Sequence, residues 1–147
     1  MNQVVVKQEK SGYQIVEAYK SLRTNLQFCG EDKKVIAVTS CTPNEGKSSV
    51  SMQLGISLAE SGKRVILIDA DLRKSVLLGR TKTQKSVRGL AHFLSGQATL
   101  EDVICSTNVK NFYMIYSGPF PPNPAELLGG KNFRSLLNCH FVKFTIM

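Results

Sequence analysis

Hydrophobic residues along the chain fall into short unbroken runs and into segments of helical spacing. Gln14 to Phe28 places apolar residues three and four positions apart, which predicts an amphipathic helix that ends near Gly30. Val35 to Val38 is a β-branched run typical of a buried strand, and Ser49 to Ala59 predicts a helix. Arg64 to Asp71 contains an unbroken apolar run, as expected for a central parallel strand covered on both faces.

The order strand, helix, strand predicts a βαβ unit, and therefore an α/β protein with a mainly parallel sheet and right-handed crossovers. Further along, residues 87–104 predict two short helices around a Ser-Gly turn, and residues 112–118 predict another strand. A proline-rich connection then runs into a helix that continues to residue 138.

The segment "SCTPNEGKSS", residues 40–49, connects the first predicted strand to the helix after it. Gly46-Lys47-Ser48 matches the end of the pattern G-x-x-x-x-G-K-S/T, in which backbone N–H groups cradle phosphate, the lysine reaches the outer phosphates and the hydroxyl binds magnesium. Cys41 stands where the pattern has its first glycine, and Pro43 stiffens the loop. A Gly-Lys-Ser that merely caps a helix is the alternative. The residues predicted to contact nucleotide are Thr42, Pro43, Asn44, Glu45, Gly46, Lys47, Ser48 and Ser49.

Two acidic residues, Asp69 and Asp71, stand at the end of the predicted central strand. Side chains two apart on a strand face the same way, so the two carboxylates are expected to converge. Ligands of open α/β sheets bind at the carboxyl ends of strands, where the phosphate loop also lies. One carboxylate could hold magnesium while the other accepts a proton from an attacking hydroxyl; a solvated turn is the alternative.

Charge is unevenly distributed along this chain of 147 residues, whose formal net charge is +8. Six basic residues and no acidic one lie between Leu72 and Arg88, which gives a local positive field. Its partner could be phosphate, an acidic peptide or a lipid surface, unless the segment is only a solvated loop. No nucleic-acid recognition motif accompanies the charge, which argues against DNA or RNA.

Two absences narrow the class of protein. The sequence has no run of ~18 apolar residues and its first residues do not resemble a signal peptide, so a cytoplasmic location is expected. The four cysteines are far apart and form no Cys-x-x-Cys pair, which argues against zinc and disulfides. They are expected to be reduced and mostly buried.

Five segments together resemble the bacterial tyrosine kinases that regulate capsule and exopolysaccharide synthesis: "EAYKSLRTNLQF", "VTSCTPNEGKSSV", "GKRVILIDADLRK", "GLAHFLSGQATLEDVI" and "SGPFPPNPAELL". The resemblance implies a three-layer fold of the P-loop NTPase type with ATP and Mg²⁺ as cofactors. Residues 1–12 would be an N-terminal extension, 13–137 a partial kinase domain and 138–147 an atypical tail.

The same resemblance implies a role for each candidate catalytic residue. Lys47 would contact the nucleotide phosphates and Ser48 the magnesium ion. Asp69 would be the base for a tyrosine hydroxyl, and Asp71 would support the metal.

An oligomerisation motif and a set of partners are also implied by the resemblance. The family's Glu, Arg, Arg motif, which mediates ring assembly, corresponds here to Glu17, Lys20 and Arg23, and Lys20 lacks the bidentate geometry of arginine. The implied partners are a membrane-anchored activator of polysaccharide export, protein tyrosine substrates and further copies of the chain. The activator would recruit the chain to the inner face of the membrane.

The chain departs from the family pattern after Glu126, beyond which it has no Asp or Glu. The family continues into a strand that ends in the Walker B aspartate and then into a tyrosine-rich tail. Here "NCHFVKFTIM" follows instead, and its alternation could fill part of the gap in the sheet. We therefore expect a truncated or frame-shifted product that lacks the C-terminal part of the fold, exposes a strand edge, self-associates and binds Mg-ADP weakly.

Three functions follow from these observations. The favoured one is an ATP-dependent protein-tyrosine (auto)kinase that regulates capsular or exopolysaccharide synthesis, with weak or no activity. A partitioning-type P-loop ATPase is an alternative, although the signature lysine of that class falls at Cys41. The other alternative is a non-catalytic nucleotide-binding regulatory domain. The missing Walker B carboxylate leaves this alternative open.

Overall fold

Strands and helices alternate along most of the chain. The computed structural model describes residues 1–7, 11–30, 32–83, 86–138 and 142–146. The strands are β1 (Asn2–Val6), β2 (Val35–Val38), β3 (Val65–Asp69), β4 (Thr81–Thr83), β5 (Cys105–Thr107), β6 (Phe112–Ile115) and β7 (Val142–Ile146). The helices are α1 (Tyr13–Phe28), α2 (Lys47–Glu60), α3 (Leu90–Leu94), α4 (Leu100–Val103), α5 (Pro124–Gly129) and α6 (Lys131–Leu137), with a 3₁₀ turn at Leu78–Arg80. The predicted helices and the three predicted strands are confirmed, apart from a break at Gly130 that divides the last helix.

The strands form one sheet in the order β2-β7-β3-β6-β5-β1-β4. Neighbouring strands from β2 to β6 run parallel, as do β5 and β1. Antiparallel pairing joins β6 to β5 and β1 to β4. The prediction of a mainly parallel α/β sheet is therefore confirmed.

Strand β3 lies inside the sheet and is buried along its whole length. Val65 and Leu67 pack into the hydrophobic cluster on the face covered by α2, and Ile66 and Ile68 into the cluster on the opposite face. Helices therefore cover the sheet on both sides, which explains why the strand is apolar without alternation.

Helix α2 approaches the sheet closely at Gly55. A Cβ atom at this position would lie 2.7 Å from Cε2 of Phe112 on β6. Only glycine therefore allows α2 to rest against this ring. The contact positions the N-terminal end of α2, where the phosphate loop ends.

Helix α1 is covered less than its pattern predicts. Tyr19 and Leu26 pack against the core, whereas Ile15 is 51% exposed and no residue of the helix is fully buried. Arg23 attaches α1 to α2 by donating from Nη1 to the carbonyl oxygen of Ser57 at 2.7 Å. The amphipathic pattern thus predicted the helix but not how far the helix would be buried.

Strand β1 lies in the predicted N-terminal extension and strand β7 in the predicted tail, and both belong to the sheet. Val4 and Val6 of β1 belong to the core. Strand β7 lies between β2 and β3, parallel to both, with Ile146 opposite Asp69. The expectation that β3 or β2 would be left with an unpaired edge at this point is wrong, because the backbone of residues 142–146 pairs with both strands.

Two smaller expectations can also be compared with the fold. No helix within the described residues is long and apolar enough to cross a membrane. Cys105 is buried, but Cys29 and Cys41 are exposed, so the expectation of mostly buried thiols is wrong for these two. Both lie in connections between elements; Cys139 lies outside the described residues.

Candidate active site

Three connecting segments meet at the carboxyl edge of the sheet. The phosphate loop (residues 40–49) follows β2, the aspartate turn (residues 69–75) begins at the last residue of β3, and Ser117 follows β6. These strands are parallel, so their carboxyl ends lie at the same edge, where open α/β sheets bind ligands. The predicted nucleotide and aspartate residues are thus placed on neighbouring segments.

The phosphate loop reaches α2 through two residues in the left-handed region, Asn44 with φ 63° and Gly46 with φ 87°. A Cβ atom at Gly46 would meet nothing within 4 Å, so the backbone angle rather than space favours glycine there. Gly46 is the N-cap of α2, and no side chain caps the helix. The N–H groups of the first turn have no intrahelical acceptor, the arrangement with which helix N-termini bind anions.

Hydrogen bonds within the phosphate loop hold its lysine inward. Nζ of Lys47 donates to Oγ of Ser40 at 2.8 Å, and that hydroxyl donates to the carbonyl oxygen of Thr42 at 2.8 Å. The backbone N–H of Thr42 donates to the Glu45 carboxylate at 3.4 Å, and hydrogen bonding by Thr42 keeps the pKa of Glu45 below its usual value. The side chain of Lys47 is therefore held against the phosphate loop by Ser40.

Asp69 is buried, with 2% of its surface exposed. Oδ2 accepts a hydrogen bond from the hydroxyl of Ser75, and Oδ1 accepts one from the backbone N–H of Asp71 at 3.2 Å. Burial raises the pKa of Asp69 to about 6, although these hydrogen bonds favour the charged form. The carboxylate is therefore mostly ionised at neutral pH and close to the range suited to proton transfer.

Asp71 lies in the turn and not on the strand, because β3 ends at Asp69. Oδ1 of Asp71 accepts from the backbone N–H groups of Arg73 at 3.2 Å and Lys74 at 2.9 Å. The two aspartates are near enough for the charge of Asp71 to raise the pKa of Asp69. Their carboxylates nevertheless accept hydrogen bonds from different groups. The prediction from strand alternation assumed that β3 continues to Asp71, whereas β3 ends at Asp69.

Two further side chains, Ser75 and Arg80, make contacts at this edge of the sheet, and neither was predicted from the sequence. Ser75 links the aspartate turn to Asp69, and Nη1 of Arg80 donates to Oγ of Ser49 in the first turn of α2. Neither follows a known spacing from the phosphate loop; the concentration of basic residues around Arg80 was the only available signal. The first contact lies within the aspartate turn, and the second joins the segment after that turn to the predicted nucleotide site.

Magnesium would have a small set of protein ligands at this edge. Within the described residues, no group of three or more His, Cys, Asp or Glu side chains could hold a metal ion. Ser48 and Asp71 remain the candidate ligands, one at the start of α2 and one in the aspartate turn. Such a pair fits Mg²⁺, which is commonly held by one or two protein oxygens together with nucleotide phosphates and water.

The predicted oligomerisation residues lie on α1, apart from the phosphate loop. Glu17 and Lys20 form an exposed ion pair at 2.8 Å, and Arg23 is bound to Ser57 on α2. Ser57 is ten residues from Lys47, which corresponds to roughly 15 Å along the helix. Within one chain, therefore, these residues do not join the nucleotide site.

Comparison with known proteins agrees with this geometry. A family model described as an AAA domain matches residues 33–135, which contain the phosphate loop and both aspartates. The chain belongs to the AAA domain family. The AAA domain also contains the glycine that rests on the β6 ring and the Ser49–Arg80 contact.

The relatives of this AAA domain protein include bacterial tyrosine kinases. Tyrosine-protein kinase CpsD of Streptococcus agalactiae is 44% identical over 121 residues, which cover 82% of this chain and 53% of the relative. The solved BceF tyrosine kinase domain is 39% identical with a TM-score of 0.75, covering 89% of this chain and 54% of that one. The chain spans about half the length of the curated relatives it matches. The predicted resemblance to bacterial tyrosine kinases is confirmed.

A more distant solved structure supports the predicted P-loop NTPase fold. The septum site-determining protein MinD from Pyrococcus horikoshii, complexed with Mg-ADP, is 26% identical with a TM-score of 0.61. The match covers 77% of this chain and 47% of MinD. The α/β fold of the P-loop class is therefore confirmed.

Proposed function

We propose that the chain forms the nucleotide-binding part of an ATP-dependent protein-tyrosine kinase that phosphorylates itself or partner proteins in capsular or exopolysaccharide synthesis. The main support is the meeting of the phosphate loop and the aspartate turn at the carboxyl edge of the sheet, where Arg80, which follows that turn, contacts Ser49. The similarity to CpsD and BceF favours tyrosine as the acceptor.

The nucleotide would lie with its phosphates against residues 42–49. The unpaired N–H groups at the start of α2 would cradle them, and Lys47 would turn from Ser40 towards the outer phosphates. Ser48 and Asp71 would hold magnesium, which neutralises charge on the phosphates. These residues bind and orient the nucleotide and contribute no covalent step.

Proton acceptance is assigned to Asp69. A tyrosine hydroxyl that attacks phosphate must lose its proton, and a carboxylate of pKa about 6 is ionised at neutral pH. The hydrogen bonds from Ser75 and the Asp71 N–H hold the carboxylate in one orientation. Because Asp69 is buried, the substrate must enter beside the aspartate turn.

Partners and location are proposed from the family resemblance. The chain would act with a membrane-anchored activator and would be cytoplasmic, recruited to the inner face of the membrane by that activator. Glu17, Lys20 and Arg23 would contribute to a homo-oligomer, which requires Arg23 to share or exchange its contact with Ser57.

Labelled ATP with magnesium and a tyrosine-bearing partner protein tests this proposal. Weak phosphotyrosine formation that Lys47→Met abolishes is the expected result. Release of free phosphate without phosphotyrosine would indicate an ATPase instead. Nucleotide binding with neither product would indicate a regulatory domain.

A further inference from the structure

The aspartate turn continues into an exposed segment, residues 73–80, which we name the basic loop. It has three cationic side chains, Arg73, Lys74 and Arg80, and no acidic one. Between them Val76 and Leu78 are 53% and 52% exposed. Exposed aliphatic side chains among cations form a surface suited to an anionic partner that also carries apolar groups.

The basic loop is held in place from beneath. Leu77 is buried in the core, and its backbone N–H donates to the hydroxyl of Ser75 at 3.3 Å. The same hydroxyl donates to Asp69. The loop is therefore fixed to the candidate base, and its exposed side chains project from an anchored backbone.

Arg73 and Lys74 are fixed at their backbone as well. Both N–H groups donate to Oδ1 of Asp71, and both side chains are exposed. Neither is used in the proposed nucleotide site, in contrast to Arg80, whose guanidinium contacts Ser49. Two cations thus stand beside the aspartates without an assigned role.

We propose that the basic loop docks the substrate peptide and favours tyrosines flanked by acidic residues, with Val76 and Leu78 contacting an apolar neighbour. The inference rests on the proposed kinase function. It adds a substrate class to that function: acidic, partly apolar tyrosine segments.

Position favours a peptide over a lipid surface. The flanking residues of a tyrosine whose hydroxyl reaches Asp69 would lie near the basic loop, because the loop begins four residues after Asp69 and is bonded to it through Ser75. A bilayer that lay on the same loop would cover the entrance to Asp69. An acidic peptide would complement the positive charge of the basic loop without covering Asp69.

Binding of unreactive peptides tests the inference without nucleotide. Three fluorescent peptides with Phe in place of the acceptor tyrosine would carry Glu, Gln or Lys at the flanking positions. Each exposed ion pair contributes about two- to fivefold in affinity, so two pairs predict roughly four- to twenty-fivefold tighter binding of the Glu peptide than of the Gln peptide. The preference should shrink as salt is raised from about 50 to about 500 mM.

Two double variants isolate the basic loop from net charge. Arg73→Gln/Lys74→Gln should remove the preference for the Glu peptide. Lys63→Gln/Lys110→Gln removes the same charge from exposed positions that precede β3 and β6, at the opposite edge of the sheet. This variant should retain the preference for the Glu peptide. Circular dichroism would verify that both variants are folded.

Several results would overturn the docking role. These are equal binding of the three peptides, equal loss in both double variants, or binding to anionic vesicles with no binding of the Glu peptide. Phosphotyrosine formation without a preference for acidic peptides would contradict docking while the kinase proposal stands. Docking of the Glu peptide without phosphotyrosine formation would contradict the kinase proposal alone.

Discussion

The phosphate loop and the aspartate turn lie at the same edge of the sheet but are held in different ways. The phosphate loop is largely exposed, and the hydrogen bonds found within it join residues 40–47. The aspartate turn is built around a buried carboxylate whose pKa depends on burial, Ser75 and the Ser117 backbone. The conformation of the phosphate loop is thus set by residues close together in the sequence. The environment of Asp69 is set by tertiary packing.

The difference predicts that substitutions in the two regions act on different properties. Changes in the phosphate loop should reduce nucleotide affinity with little effect on folding. Changes in the aspartate turn should alter stability and its dependence on pH, because a charge is held away from water there.

The largest effect is expected for Asp69→Asn on stability. The folded-state pKa of Asp69 is about 6 against the ordinary 3.8, so the folded chain binds the proton more tightly than the unfolded chain. The free energy of unfolding is therefore highest below about pH 4. It falls by on the order of 3 kcal/mol as pH rises through 6. The Asn variant, which cannot ionise, should be more stable than the parent at pH 7 and similar to it at pH 4 in urea unfolding.

Asp102→Asn is a control for which stability depends on pH with the opposite sign. Hydrogen bonds from Thr99 lower the pKa of exposed Asp102, so the stability it contributes is present above its ordinary pKa and is lost as pH falls. Its Asn variant should be slightly less stable than the parent at pH 7. A parent chain that gains stability between pH 4 and pH 7 relative to Asp69→Asn would contradict the burial argument.

Lys47→Met should reduce affinity for Mg-ADP by roughly ten- to a hundredfold, because a charge-assisted contact to phosphate is lost. Among the described residues, Nζ of Lys47 hydrogen-bonds to Ser40, so the free energy of unfolding should change by less than about 1 kcal/mol. Isothermal calorimetry measures the first quantity and urea unfolding the second. Unchanged affinity would show that the loop does not use its lysine.

Ser75→Ala should have a smaller effect on stability than Asp69→Asn. Losing the hydroxyl that donates to Asp69 raises the pKa of that carboxyl further, so the variant should be less stable than the parent at pH 7 by about 1.5 kcal/mol. The difference should diminish at pH 4, where Asp69 is protonated in both chains. Ser61→Ala, which removes a hydroxyl bound to the carbonyl of Leu58, should show no such dependence on pH.

The sequence predicted those parts of the molecule whose signals are local. Gly46-Lys47-Ser48 could be recognised because the spacing of a phosphate loop is fixed by its own backbone, and β3 because it is apolar throughout. Strand β1 was not predicted, since its pairing with β4 and β5 depends on residues more than 70 positions away.

The orientation of side chains at the site was less predictable than their identity. Asp69 and Asp71 were candidates from the sequence, but the end of β3 at Asp69 and the contacts with Ser75 and Arg73 depend on the path of the turn. Arg80 reaches Ser49 across 31 residues, and no spacing rule predicts such a contact. Tertiary packing, and not local preference, decides these features.

Magnesium-dependent ADP binding by Asp69→Asn and Asp71→Asn tests the central claim most directly, namely that the two aspartates serve one nucleotide site in different roles. Calorimetric titrations would compare both variants with the parent in magnesium and in EDTA. The account predicts that Asp71→Asn weakens binding in magnesium towards the value in EDTA, whereas Asp69→Asn leaves magnesium-dependent binding close to that of the parent. Equal changes in both variants, or a parent chain that does not bind ADP, would contradict it.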